Sequence, residues 1–306
     1  MIQIPMFFFI SGFLFMNNSR QSLGDKIKKK FRQLVVPAII FGGIYILYSS
    51  GDVACCLNDR FKYGYWFTLT LFEFFLLQYA VDGIWSITKK GCHIPSFVLL
   101  NIVMVIFVYG MSLPSVEHKI QGMPALNWLG LPQWRYYMYF VMGRLLQLHI
   151  ERIAQWKYRD VSVVIIIAVF FILSVLQWGL HWTAKGAFFH LTLILFETCA
   201  LLSVFALFYK HRDKFGEKSV LALRWLPFIG KRTLDIYMLH YFFLPKDMTI
   251  VGEYFSKHSD MVGEMIVSGV MALAVIAVSL VVGEMIRVSK IFSYWVLGTQ
   301  YVSKRE

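Results

Sequence analysis

His190 and Glu197 stand seven residues apart in an apolar stretch. Seven residues turn a helix through about 700°, so the two side chains share a face roughly 10 Å apart along the axis. A carboxylate that orients an imidazole is a device for general-base chemistry; it is equally an ordinary structural polar pair, and a proton relay would use the same groups. His240 and Asp235 are five residues apart, about 140° around a helix, and cannot meet within it. Asp235 is expected to pair with Lys231 or Arg232, three or four residues before it. His240 then sits about 12 Å deeper than Arg232, as a base or as an interior histidine bonded to a Tyr or a carbonyl. Arg135, after Trp134, can hold a sugar or a carbonyl oxygen, or snorkel to an interface. Glu73 has no charged neighbour within a turn and must be protonated or paired across helices. Lys26, Lys28, Lys29, Lys30 and Arg32 precede Pro37, a cluster that can hold phosphates by charge-assisted hydrogen bonds or bind anionic lipid.

The elements that position these groups are membrane helices. Of 306 residues 58% are hydrophobic and 16% charged, with mean hydropathy +0.60, where soluble domains carry about 25% charged residues. A span needs roughly 20 apolar residues. Nine segments qualify, at about 1–17, 33–49, 64–87, 95–113, 132–149, 161–180, 187–209, 231–245 and 262–286. The fold class is therefore all-α, a polytopic membrane bundle of about nine helices in a single domain over 1–306. The segment 287–306 forms a short tail, basic and aromatic by turns, expected to lie along the cytoplasmic interface. Loops on one side hold nineteen Lys and Arg and those on the other hold six, which puts the first set in the cytoplasm, the N-terminus outside and the C-terminus inside. The net charge of +12 is thus topological, and no nucleic-acid partner is expected; membrane lipid is. Cys55, Cys56, Cys92 and Cys199 show no metal-ligand spacing, and no Walker loop, GxSxG elbow, HExxH or dinucleotide fingerprint is present. Neither a metal nor a bound cofactor is expected.

The first span, "QIPMFFFISGFLF" (3–15), enters from outside with almost nothing ahead of it. Its charge follows rather than precedes the apolar run, which disfavours a signal peptide. It reads as a second helix whose predecessor is missing, so a start placed too late is expected. Pro5 should interrupt the helix at its outer end, and Ser11-Gly12 should let a neighbour approach closely, together shaping a pore wall.

That stretch resembles the "FHMPLFFFISGFL" segment of the bacterial acyltransferase 3 family. Four further segments agree in order: "KKKFRQLVVPAII" (28–40), "YGYWFTLTLF" (63–72), "WRYYMYFVMGRLL" (134–146) and "IGKRTLDIYMLHYFFL" (229–244). The resemblance implies a ten-helix inner-membrane enzyme that O-acylates carbohydrates and other acceptors, with acyl-coenzyme A, acetyl-coenzyme A by preference, as donor. It places the donor at Lys28, Lys29, Lys30 and Arg32, and makes His240 a recurrent position. It also implies a first helix with a catalytic His that this chain lacks, and a second His where Gln3 stands. The catalytic candidates are then His240 and His190 as base, Glu197 as partner, and Arg135 for orientation or charge. The expected activity is acyl transfer to a hydroxyl of an envelope glycan. The alternatives are a non-enzymatic carrier or export component, which the same intramembrane polar pairs would suit, or an inactive truncated member.

Overall fold

The structure, a computed structural model, describes residues 2–16, 21–49, 59, 61–88, 97–113, 130–157, 159–176, 187–211, 227–245, 252–255 and 261–298, the side chains of 63, 187–190 and 261 excepted. Every regular element among them is a helix: α1 (Gln3–Phe13), α2 (Leu23–Lys30), α3 (Val36–Tyr48), α4 (Trp66–Thr88), α5 (Phe97–Met111), α6 (Tyr137–Gln155), α7 (Arg159–Ser174), α8 (Ala187–Lys210), α9 (Thr233–Phe243), α10 (Met261–Val288) and α11 (Lys290–Val296). All but α2 and α11 fall on the nine apolar segments read from the sequence. Four runs, Leu23–Tyr48, Trp66–Thr88, Leu191–Lys210 and Val262–Val288, are long and apolar enough to cross a membrane. The helices form two compact units. One holds Met1–Ser19, Leu77–Ile120 and Leu131–Arg224; the other holds Arg20–Leu76, Gln121–Gly130 and Trp225–Glu306. The helix α4 gives its first half to the second unit and its second half to the first.

In the first unit α1 packs on α6. Lipid tails are as apolar as leucine, so helices associate in a bilayer through close packing rather than through a hydrophobic driving force. The packing here is set by two glycines: a Cβ on Gly12 would fall 1.9 Å from the Phe140 carbonyl oxygen, and one on Gly143 would fall 2.0 Å from that of Phe9. Gly12 does what the sequence leads one to expect, and Gly143 supplies the other half of the crossing. Pro5 does not break α1, which runs unbroken from Gln3. It occupies the first turn, where a backbone N–H has no partner within the helix, so the missing donor costs nothing.

A polar cluster crosses the same unit. Gln78 donates to Asn101 Oδ1 (3.1 Å), Tyr137 OH donates to Gln78 Oε1 (3.3 Å), and all three residues are buried. Arg144 on α6 reaches Asp82 on α4, Nη2 to Oδ1 2.6 Å, with side-chain exposures of 8% and 12%. The guanidinium lies 4.4 Å from the Phe15 ring centroid and 5.2 Å from that of Phe97.

In the second unit Ser22 caps α2, its Oγ accepting from Asp25 N (3.1 Å) and donating to Asp25 Oδ2 (2.7 Å). The helix α2 runs into α3 through a wide turn at Phe31–Val35, in which Val36 N reaches back to Phe31 O. Pro37 accounts for the turn: it has no N–H to return to the preceding turn, and the ladder widens to accommodate it. Gly298 packs on this turn so closely that a Cβ would meet Arg32 O and Gln33 Cα at 2.6 Å. The core beside it comprises Ala38, Phe41, Tyr65, Met238, Leu239 and Leu297. Asp235 does not pair with Lys231 or Arg232 along its own helix. Its partner is Arg287 on α10, which donates from Nη2 to Oδ2, while Arg232 lies 2.7 Å from Glu284 Oε1. A cross-helix partner satisfies a carboxylate that is only 5% exposed, whereas a neighbour one turn away is set by the helix surface.

Two outcomes follow. Gly143→Leu should destabilise the detergent-solubilised protein by about 1–3 kcal/mol or more, whereas Gly110→Ala, with nothing within 4 Å of its Cβ, should shift stability by about 0.5 kcal/mol at most. Thermal unfolding of the two variants checks the difference. Arg144→Leu alone should cost about 3–5 kcal/mol by taking the guanidinium from buried Asp82, and Asp82→Leu with Arg144→Leu should recover most of that loss. Equal melting temperatures for the single and double variants would contradict the pairing.

Candidate functional site

Four cations line the helix where α2 passes into the wide turn. Lys28 is exposed and Lys29 half-buried; Lys30 turns inward, its Nζ 3.9 Å from the centroid of the Phe75 ring. Arg32 Nη1 donates to Tyr294 OH, its guanidinium carbon is 4.1 Å from that ring's centroid, and its Nε is buried with no acceptor among the described residues. A compact, rotatable ammonium set beside a planar fork suits an anion with several oxygens, such as a phosphate.

Along α3 from Arg32 to Tyr45 is thirteen residues, about 20 Å. At that far end lies His240 on α9. Its Nδ1 is 2.7 Å from Tyr237 O. A carbonyl only accepts, so Nδ1 carries the proton in the neutral ring and Nε2 keeps its lone pair, the form a general base needs. His149 and His211 make the same back-bond to Leu145 and Leu207. His240 is set apart by the tyrosines it joins: the Tyr241 ring centroid is 3.9 Å from its own, and Tyr241 also packs on Tyr45 and Tyr65. Tyr237 OH and Tyr241 OH both donate to Gly64 O, the latter at 3.2 Å. Gly64 has φ +97°, and a Cβ there would run into the Tyr241 ring at 2.1 Å, so only glycine presents this carbonyl. Tyr65 OH donates to Met238 O (3.0 Å) and fixes α9 from the other side.

In the first unit, Arg135 and Glu197 line one cleft together with Tyr109, Tyr136, Met138, Tyr139, Leu193 and Ile194. Arg135 lies on a tight turn, Leu131–Tyr136, that leads into α6. Its Nη2 donates to Tyr136 OH (2.8 Å). Tyr139 OH donates to Glu197 Oε2 (2.6 Å). His190 lies on α8 with Glu197, but its side chain is outside the described residues, as are Cys55, Cys56 and Cys92. Glu73 is half-buried on α4. Among the described residues no three His, Cys, Asp or Glu side chains gather where they could hold a metal ion.

The structure places Lys28, Lys29 and Lys30 on α2 and Arg32 in the turn that leads into α3, sets His240 on α9, which packs on α3, and brings Arg135 and Glu197 into one cleft. Sequence reading missed the Tyr139–Glu197 bond and the tyrosines around His240, for which an aromatic-rich apolar segment gives no distinctive signal. Asp82 and Arg144 could have been found, since a charge inside a span demands a partner.

Residues 2–284 match the acyltransferase domain of the acyltransferase 3 family. No curated protein and no solved structure matches the chain. A match over that length, on a helical bundle with spans long enough for a membrane, makes this a membrane protein of acyltransferase type: the chain belongs to the acyltransferase 3 family.

Proposed function

We propose that the chain is a membrane O-acyltransferase that moves an acyl group, acetyl by preference, from acyl-coenzyme A to a hydroxyl of an envelope carbohydrate. The observation that carries this reading runs along α3. Four cations stand on α2 and the turn that leads into α3, and about 20 Å on, on α9 packed against it, a histidine holds its Nε2 lone pair available. A donor with phosphates at one end and a thioester at the other is extended, and needs an anion site and a base set apart in this way.

In the proposed step the hydroxyl gives its proton to His240 Nε2 as its oxygen attacks the thioester carbonyl. The C–O bond forms, the C–S bond breaks, and the imidazolium returns the proton to the departing thiolate, so the ester and the free thiol leave neutral. Lys28, Lys29, Lys30 and Arg32 hold the donor's phosphates. The loop charges support an orientation with these cations and the C-terminus in the cytoplasm, in the inner membrane of a bacterium, and the His240 end toward the outside.

The test is transfer of labelled acetyl from acetyl-coenzyme A to envelope glycans in membranes containing the protein. His240→Ala should lower kcat by about 100- to 10,000-fold with the donor KM little changed. Arg32→Ala should raise the donor KM by roughly 10-fold or more, as loss of a charge-assisted bond requires, while Lys28→Ala, at an exposed site, should change it by about 5-fold at most. Donor affinity should also weaken with added salt. Acetylation unaffected by removing the gene, together with altered export of a solute, would identify a carrier instead.

A further inference from the structure

Three arginines of this chain, Arg144, Arg232 and Arg287, each meet a carboxylate, of Asp82, Glu284 and Asp235. Arg32 meets a phenol instead: its Nη1 donates to Tyr294 OH, and the Tyr294 ring centroid lies 4.1 Å from the guanidinium carbon. The difference matters, because a carboxylate cancels the charge of the arginine it holds. A phenol accepts one hydrogen bond and offers a ring face, so it orients the guanidinium and leaves the full positive charge for another partner. The planar fork takes an oxyanion through two parallel N–H groups on one edge. With Nη1 engaged by Tyr294, the edge left over is that of Nε and Nη2, and among the described residues it has no acceptor. Its Nε is buried, where an unmet donor is costly.

Tyr294 is carried to Arg32 by a segment with anchors of its own. Ser289 caps α11, Leu297 is 4% exposed in the core beside the wide turn, and Gly298, at φ +61°, sits on the Arg32 and Gln33 backbone with no room for a Cβ. The segment can therefore dock without the Tyr294 side chain. The family match ends at residue 284, so Tyr294 lies beyond it, and no role for this residue follows from membership. An arginine left free would lose rotamer entropy on meeting a ligand, and one already held has less to lose.

We infer that Tyr294 is a positioning residue for the anion site: its ring and hydroxyl hold the Arg32 guanidinium so that the Nε–Nη2 edge meets a phosphate. The inference rests on the placement of the donor's phosphates at this cluster, and it adds to that site a part supplied by the far end of the chain.

The test is isothermal titration calorimetry of coenzyme A into the purified full chain in a neutral detergent, repeated with inorganic pyrophosphate. Tyr294→Leu should weaken coenzyme A binding by roughly 3- to 10-fold, and Tyr294→Phe, which keeps the ring, by about 3-fold at most. In an Arg32→Ala background Tyr294→Leu should change affinity by about 2-fold at most, because the tyrosine acts through the arginine. In acetyl transfer, Tyr294→Leu should raise the donor KM and leave kcat unchanged. Ile291→Ala, at a position 71% exposed on the same helix, should bind as the unaltered protein does. Matching thermal unfolding curves establish that the variants fold. Unchanged affinity in Tyr294→Leu, an equal loss in the Arg32→Ala background, or an equal loss in Ile291→Ala would overturn the positioning role. The same pattern for pyrophosphate, with no binding of coenzyme A, would support the role of Tyr294 and count against the acyl-donor reading alone. Binding of neither anion would overturn both, and a pattern seen only with dihexanoyl phosphatidylglycerol would make the edge a lipid site and overturn its part in donor binding.

Discussion

A charge inside a bilayer must find its opposite within the protein, because no water is there to receive it. Among the described residues each unit answers that constraint with a buried Asp–Arg pair between two helices: Asp82 with Arg144, and Asp235 with Arg287. Such pairs do more than neutralise. The carboxylate comes from one helix and the guanidinium from another, so a slip of one turn, about 5.4 Å, would strand both charges in apolar surroundings. The pairs therefore fix depth and rotation. Arg144 and Asp82 set α6 against α4, and α6 is the helix whose first turns carry Tyr139 to Glu197. Arg287 and Asp235 set α10 against α9, one turn and more before His240 on the same helix.

Steric fit then takes over where charge leaves off. Gly12 and Gly143 let the α1 and α6 backbones touch, and no larger residue at either position leaves the other helix where it is. In the second unit the irregularity is a proline. Pro37 widens the turn at Phe31–Val35, and the C-terminal segment fills the resulting surface, with Gly298 on the Arg32 and Gln33 backbone and Tyr294 on the Arg32 side chain. The result ties α11 to the cation cluster, a contact between residues more than 260 positions apart.

The sequence made the helices legible because apolar runs of span length, separated by loops of alternating basicity, admit few other folds. It made Gly12 legible for the same reason: small residues in a span have few other uses. What it could not show were partners. Asp235 had two cations within a turn, and the distant Arg287 took it because the carboxylate is buried on the side facing α10. Glu197 was read with His190 from spacing alone, and its hydrogen bond in the structure comes from Tyr139, on a helix remote in sequence. Helical periodicity tells which residues share a face, and nothing in it tells which face is opposite.

Two polar clusters of this chain differ in net charge. Lys28, Lys29, Lys30 and Arg32 carry four positive charges, with Asp25 the one acidic residue on α2, a surplus that attracts anions, lipid head groups among them. Arg135 and Glu197 sum to zero and each keeps hydrogen-bonding capacity to spare. A coulombic field that attracts an anion to the first gives it no advantage at the second. The geometry of the cation cluster is set by one proline, so the placing of four charges along the chain depends on a single missing backbone N–H.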